Sequence, residues 1–425
     1  MRKNKIDIIS LGCSKNLVDS EHLIRQFQAN GYSVEHNPSR VDGEIVVVNT
    51  CGFIRDAQEE SIDMILELGR AKKEGKIKKL FVMGCLAERF MAQLIDELPE
   101  VDKFYGKFNW KEMLNDLGKS YKEDLSSERY LTTPKHYAYL KISEGCNRFC
   151  AFCAIPLITG RHKSVPMDTL INEVKHLVSQ GVKEFNVIAQ DLSSYGLDLY
   201  GKMMLPELID QMAQIEGVEW IRLHYAYPTQ FPYDILPVMA KHDNVCKYLD
   251  IALQHSSDKV LNNMQRHITK AETIEVIKRI RKEVPGIHIR TTLMVGFPGE
   301  GEEEFNDLVD FVEEMRFERM GAFAYSEEEG TFAAKHFDDI IPEDVKADRL
   351  DKIMEIQEEI SNEIQSKKVG NVYKVIIDSV DEMYYSGRTE WDSPEVDPEV
   401  LIPVENGRLE IGNFYQVEIT DATPF

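Results

Sequence analysis

Three cysteines crowd the run EGCNRFCAFCAIP, Glu144 to Pro156: Cys146, Cys150 and Cys153, spaced C-x3-C-x2-C. Thiolates at such spacing hold soft metals. A structural zinc needs four ligands, usually as two spaced pairs. Here a fourth would have to come from elsewhere, with His162 a candidate. A cubane iron–sulfur cluster can instead be held by three thiolates, which leaves one iron without a protein ligand. That iron is free to take a small molecule, so the missing fourth cysteine is itself a coordination site.

Cys13, Cys51 and Cys85 each end a short apolar run that reads as a strand: KIDIISLGC, EIVVVNTCG and KKLFVMGC. In a parallel sheet every strand's carboxyl end lies at one edge. Cysteines 38 and 34 residues apart can therefore meet in one crevice, and three ligands again leave an open iron. The seventh, Cys246, has no partner in sequence and reads as a small core residue.

The elements that must position these thiols fall into three regions. At roughly 150 residues per domain, 425 residues suggest about three domains. Residues 1–118 alternate the three strands with helical patterns (NLVDSEHLIRQFQANG, RDAQEESIDMILELGRAKKEG, LAERFMAQLIDELP), which implies an open parallel α/β sheet. The polar stretch 119–136 reads as a linker. Residues 137–366 repeat the alternation six times, from YAYLKISEG to ERMGAFAYS, and suggest a partial (β/α)6 barrel with an exit helix. Residues 367–425 are short and strand-rich, as in a small antiparallel OB-like barrel.

Composition is that of a globular protein, 43% hydrophobic and 29% charged, with a net charge of −23. No run of 18 apolar residues is present, so no transmembrane helix is expected. The apolar part of MRKNKIDIISLGCS is short and holds Asp7, which argues against a signal peptide. A cytoplasmic chain is expected, with cysteines for metal or redox work rather than disulfides.

The motifs SLGCSKNLVDSE, VVNTCGF, VMGCLAER, KISEGCNRFCAFCAIP, VIAQDLSSYG, LQHSSDKVLNNMQR, VGFPGEGEEEF and GRTEWDSPEVD occur along the whole chain. In content and order they resemble the radical S-adenosylmethionine (SAM) methylthiotransferases. The resemblance implies an N-terminal cluster domain, a radical SAM barrel and a C-terminal TRAM domain. It implies two 4Fe-4S clusters, on Cys13, Cys51 and Cys85 and on Cys146, Cys150 and Cys153. It also implies SAM as cofactor and methyl source, a reducing electron donor and a sulfur donor. SAM cleavage at the barrel cluster would give a 5′-deoxyadenosyl radical. Phe152 matches the aromatic position beside the adenine, and Gln190 and Asp191 lie where the second strand nears the methionine moiety. The chain departs from the pattern at Gly301, where a threonine is usual. It departs again in IPLITGRHKSVP, which leaves Arg161 as the nearest arginine for a SAM contact.

The family divides by substrate, between a transfer-RNA adenosine and an aspartate of small-subunit ribosomal protein uS12. From Asn371 onward twelve acidic residues face three basic ones, a net of −9. A module that docks RNA must neutralise phosphates. This one repels them and attracts a basic ribosomal protein. AQDLSSYG and LHYAYP also resemble the uS12 branch. A uS12 aspartate is therefore the expected substrate, with no membrane partner and with a tRNA isopentenyladenosine as the runner-up. A non-catalytic iron–sulfur carrier is the alternative of another class, but a six-unit barrel is more protein than electron transfer needs.

Carboxyl ends of barrel strands supply the remaining candidates: Gln190, Asp191, Tyr225, Tyr227, Gln254, His255 and Tyr325. Gln254 is grouped with the SAM-binding residues. His224 and His255 read as satisfied core histidines, and Glu300 to Glu304 as a solvated helix start.

Overall fold

The computed structural model describes residues 2–424. Five parallel strands form the first sheet: β1 (Arg2–Ser10), β2 (Ser33–His36), β3 (Gly43–Thr50), β4 (Lys79–Gly84) and β5 (Lys103–Phe104), in the order β2-β1-β3-β4-β5. The run Ile45-Val46-Val47-Val48 is buried throughout because both faces are covered. Ile45 and Val47 meet Leu23, Ile24 and Phe27 of α1 (Ser14–Ala29). Val46 and Val48 meet Ile65 and Leu68 of α2 (Arg55–Lys73) and Leu86 of α3 (Cys85–Glu97). Two edge strands, β2 and β5, were too short to stand out in the sequence.

The polar stretch 119–136 is anchored rather than free. Gln26 exchanges two hydrogen bonds with the backbone of Lys122, at 3.0 and 2.8 Å. Arg129, fully buried, sits between Glu21 and Glu173 and donates to the carbonyl of Tyr139. This arginine ties the first sheet to the second.

The second unit opens with β6 (Tyr137–Lys141), followed by a small antiparallel pair, β7 (Ser143–Glu144) and β8 (Lys163–Ser164). β9 (Glu184–Ile188), β10 (Trp220–Ala226), β11 (Val245–Ile251), β12 (His288–Val295) and β13 (Arg319–Ala324) join β6 in a six-stranded sheet, in the order β13-β12-β11-β10-β9-β6. All its strand pairs run parallel. Alternation divides each strand between two faces. Phe185, Val187, Ile221, Leu223, Leu249 and Ile289 join Leu170, Val174 and Leu177 of the helix Met167–Ser179 in the main apolar core. The intervening Glu184, Asn186, Arg222, His224, Tyr248, Asp250 and Arg290 fill the barrel interior, which is polar and charged. The helix Glu343–Ser366 leads out along β13.

The last sheet is an antiparallel half-barrel of β14 (Val372–Val380), β15 (Tyr384–Arg388), β16 (Val400–Pro403) and β17 (Phe414–Glu418). It docks on the amino-terminal ends of the barrel strands, the end opposite Cys146. Ile376 and Phe414 pack on Trp220, Cys246 and Tyr248, so Cys246 is core, as expected. Around this patch the charges interlock. Arg388 forks onto Glu184 at 2.9 and 2.7 Å and onto Asp378 at 2.6 and 2.9 Å. Asp392 takes Arg319 at 2.6 Å, and Asp397 accepts from the Tyr248 hydroxyl at 2.9 Å. The C-terminal unit thus plugs the bottom of the barrel. Among the described residues no helix is long and apolar enough to cross a membrane.

Removing one partner of a buried, hydrogen-bonded pair strands the other charge, at a cost of about 3–5 kcal/mol. Arg388→Ala is therefore expected to lower the denaturant midpoint of the metal-free chain and to expose residues 367–425 to limited proteolysis. An unchanged midpoint and an intact tail would show that this network does not hold the unit in place.

Candidate active site

β1, β3 and β4 are neighbours in register, so the turns that follow them sit side by side. Cys13 caps α1, Cys51 follows β3 and Cys85 opens α3. Two glycines let these turns close. Gly12 has φ +85°, and a Cβ there would lie 2.7 Å from Cys51 Cβ and 2.9 Å from its sulfur. At Gly52 a Cβ would lie 2.6 Å from the Leu86 nitrogen. Asn16 laces the turns together: its Nδ2 donates to the carbonyls of Leu11 and Thr50, and its Oδ1 accepts from the Cys85 thiol at 3.5 Å and from Lys107 Nζ at 3.2 Å.

Burial pushes the Cys85 thiol up to about 12 and raises Cys51 as well. At Cys13 burial acts in the same direction, but Lys15, Lys107 and the amides of the first helical turn outweigh it and hold the thiol below its ordinary value. By surface area Cys13 is the exposed member of the trio, set in surroundings dense enough to desolvate its sulfur, while Cys51 and Cys85 are buried.

The other trio lies on the loop after β7. The Cys146 sulfur accepts from the amide of Arg148 at 3.4 Å. Cys150 meets the Tyr227 hydroxyl at 3.4 Å and Arg266 Nη1 at 3.3 Å. Burial raises Cys146 to about 12 and raises Cys153 further. Such thiols ionise only with a strong positive partner, which a bound metal supplies. The only three metal-ligating side chains within 4.8 Å of one another, among the described residues, are Asp7, Glu35 and Asp42, and Lys5 fills their centre. Tetrahedral zinc, with Zn–S of about 2.3 Å, would draw its sulfurs to roughly 3.8 Å. Neither trio of sulfurs, among the described residues, is gathered within 4.8 Å, so neither is drawn up for tetrahedral zinc. His162 bonds Ser164 through Nε2 at 3.0 Å, and its buried Nδ1 has no hydrogen-bond partner among the described residues.

The two trios face each other across the junction of the two sheets. Cys85 packs directly on Ala154, the residue after Cys153, and on Ile158. Beside them runs a ladder of charge. Lys107 reaches Asp19 at 3.1 Å and Glu144 at 3.7 Å, Lys141 binds the same two carboxylates, and Gln190 donates to Glu144. Burial would raise Asp19, but Lys107 and Lys141 win and hold it at about 2. On the far side Glu328 accepts from Arg55 N at 3.1 Å, Gln58 Nε2 at 3.2 Å and Arg89 Nη1 at 3.1 Å. Val18 of α1 packs on Tyr137, Tyr139 and Ile188 and closes the third side.

Several of the residues singled out from the sequence line this junction. Here Gln190 joins the charge ladder, and Asp191, buried, holds Arg148 at 2.7 Å and Ser194 at 2.5 Å. Tyr227 lies between the guanidinium groups of Arg148 and Arg266, 4.3 and 4.0 Å from its ring centre. Tyr225 and Gln254 adopt φ of +63° and +73°, and Phe149 in the cysteine loop +52°. Left-handed backbone at bulky residues costs free energy and gathers at functional sites. Phe152 packs edge-on against Phe297, 6.2 Å between ring centres.

Others do not belong to it. Arg161 is exposed, and its side chain has no partner among the described residues. Tyr325 is a core residue packed edge-on against Phe297, the ring that also meets Phe152. His224 and His255 are satisfied in the core by Asn186 at 3.2 Å and Glu300 at 2.9 Å. Glu300 corrects the expectation of a solvated run: it is buried, accepting from His255, the Gly296 amide and Arg349. Only Glu302 to Glu304 form the helix start. Sequence reasoning overlooked Lys15, Asn16, Lys107, Arg148 and Arg266. Asn16 and Lys15 stand beside Cys13 in GCSKN, which was a usable signal; Lys107 had none.

Asp250, inside the barrel, accepts from the Tyr225 amide at 3.3 Å, and burial raises it from 3.8 to about 6 against the pull of Arg290. Between about pH 4 and pH 6 the folded chain keeps a proton there that the unfolded chain releases. Stability from this residue is present below that window and falls as pH rises through it. Asp250→Asn should remove the slope, so its denaturation midpoint, relative to the parent's, should climb from pH 4 to pH 6 in the metal-free chain. A parallel pair of curves would contradict the assignment.

Comparison with known proteins completes the description. Family profiles match in three places: the uncharacterized protein family UPF0004 over residues 5–106, the Radical SAM superfamily over 140–312 and the TRAM domain over 369–425. Proteins curated as ribosomal protein uS12 methylthiotransferase RimO are similar over the full length. That of Parabacteroides distasonis is 64% identical, covering 100% of this chain and 98% of its own. That of Bacteroides thetaiotaomicron is also 64% identical with the same coverage. Among solved structures, the radical S-adenosylmethionine methyltransferase TsrM from Kitasatospora setae, with cobalamin and a [4Fe-4S] cluster bound, superposes with a TM-score of 0.58. It is 13% identical and covers 78% of this chain and 77% of that one, a likeness of fold.

Proposed function

The chain belongs to the RimO family of ribosomal protein uS12 methylthiotransferases, and from that premise we propose that it adds a methylthio group to the β-carbon of a uS12 aspartate. The observation that carries the site assignment is the contact of Cys85 with Ala154, which sets two three-thiol cradles against each other. Cys13, Cys51 and Cys85 would hold one 4Fe-4S cluster, and Cys146, Cys150 and Cys153 another. SAM would lie at the second, near Phe152, Gln190, Asp191 and Gln254. Arg161, turned to solvent, is the weakest of the SAM contacts proposed from sequence. Bound there, the clusters and SAM supply the one-electron chemistry that breaks an unactivated C–H bond and the sulfur and methyl groups that replace it. An electron donor and a sulfur donor complete the reaction, in the cytoplasm.

The chain's own residues hold and align. Arg266 and Tyr227 fix Cys150, and Arg148 links the Cys146 loop to Asp191 at the end of β9. The Asp19–Lys107–Glu144–Lys141 ladder and the Glu328 clamp keep the two cradles in register. Val18 on Tyr137 and Tyr139 keeps water from one flank. Transfer between two centres demands this alignment, since small misplacements of reacting groups cost large factors in rate.

Anaerobic reconstitution is expected to load about eight irons per chain as two cubanes. Changing Cys146, Cys150 and Cys153 to Ala should remove about half and end reductive SAM cleavage. Changing Cys13, Cys51 and Cys85 to Ala should leave SAM cleavage and stop methylthio transfer. Full iron in the first variant, or tightly bound zinc instead of iron, would contradict the reading.

The acidic tail supports a basic partner, though with fewer free acids than its composition suggests. Asp378, Asp392 and Asp397 are engaged inside the protein, whereas Glu382, Glu399 and Glu405 are exposed and form no ion pair among the described residues. Changing these last three to Lys should slow association with uS12 and flatten its salt dependence. If the unaltered chain methylthiolated an isopentenyladenosine tRNA and ignored uS12, the substrate assignment would fall.

A further inference from the structure

Lys15 stands out among the cations of the junction. It lies in the first turn of α1, two residues after Cys13, and is 9% exposed. Its Nζ sits 3.6 Å above the ring centre of Tyr225, across the gap between the first sheet and the barrel mouth. Among the described residues its ammonium has no ion pair and no hydrogen bond. Every other cation nearby has a partner: Lys107 and Lys141 share Asp19 and Glu144, Arg148 holds Asp191, and Arg266 donates to the carbonyl of Ala252. From inside the barrel, Asp250 accepts from the Tyr225 amide.

A desolvated cation–π contact contributes about 2 kcal/mol. Taking an ammonium out of water costs several. The ring alone does not balance the account, and among the described residues no carboxylate pairs with the ammonium. Tyr225 is held at φ +63° to present that ring, so the arrangement is built rather than incidental. The ammonium thus bridges the helix that Cys13 caps and the barrel strand that carries Tyr225 near its carboxyl end.

We propose that Lys15 is the receptor for the carboxylate of the substrate aspartate, an inference that rests on the uS12 reading above. The β-carbon of an aspartate is bonded directly to its carboxyl carbon, about 1.5 Å away. A salt bridge from Lys15 therefore positions the reacting C–H between Cys13 and the Cys146 loop. It also selects an acidic side chain over an amide. Lys15 is then a specificity and positioning residue. The competing role is charge compensation for the Cys13 cradle alone, which gives no preference between aspartate and asparagine.

The test is binding. The anaerobically reconstituted chain is titrated with uS12 and with uS12 whose target aspartate is changed to Asn. The unaltered chain should bind the aspartate form about tenfold or more tightly, as expected for a hydrogen bond between charged groups. Lys15→Met should bind both forms equally, and Lys15→Arg should keep part of the preference. Tyr225→Leu, which leaves the charge but removes the ring beneath it, should narrow the preference and serves if Lys15→Met does not fold. An undiminished preference in Lys15→Met or Tyr225→Leu, or no preference in the unaltered chain, overturns the proposal. An unaltered chain that binds neither form of uS12 overturns instead the substrate reading beneath it.

Discussion

Two sets of three thiols, on two separately built sheets, have to meet. Everything else in the molecule can be read as a consequence. Each set is placed by the same rule, a cysteine at the carboxyl edge of parallel strands. That rule brings thiols together within a sheet but does nothing to bring two sheets together. The contact of Cys85 with Ala154 and Ile158 does so. It is held on one flank by the ladder of Lys107, Asp19, Lys141 and Glu144, and on the other by Glu328 with Arg55, Gln58 and Arg89. Charged residues suit such a seam. Two flat apolar faces can slide, whereas paired charges lose most of their attraction when displaced.

The barrel shows the same economy at its other end. A fully closed barrel fills its interior with side chains from its own strands. This one has six strands, and the charged side chains they point inward need partners at the lower end. The C-terminal half-barrel supplies them, with Arg388, Asp392 and Asp397 set among Glu184, Arg319 and Tyr248. Part of that unit's acidity is therefore structural. Since it docks opposite Cys146, a protein that touches both its exposed acids and the thiols must extend along the outside of the barrel. A basic ribosomal protein presenting an extended loop satisfies that requirement.

Much of this was legible in the residues. Strand runs such as EIVVVNT match β3 because strands of a parallel sheet, buried on both faces, are written in continuous apolar stretches. The six cysteines of the two trios stood out because thiols are rare in this chain and fall at repeated positions. What stayed hidden were contacts without a local pattern. Arg129 looks like a polar linker residue, and only the fold shows it between Glu21 and Glu173. Glu300 looks solvated within GEGEEE, yet His255 and Arg349 arrive from distant elements to bury it. Lys107 carries no signal in its surroundings, and only the fold brings it to Asp19 and Glu144.

The central claim is that the facing cradles serve one aspartate of uS12. The most direct measurement is the mass spectrum of uS12 from cells that express this chain as their only enzyme of the family, beside cells that lack it. The account predicts a methylthio group on a single aspartate of uS12 in the first and an unmodified protein in the second. Identical uS12 in both would contradict it.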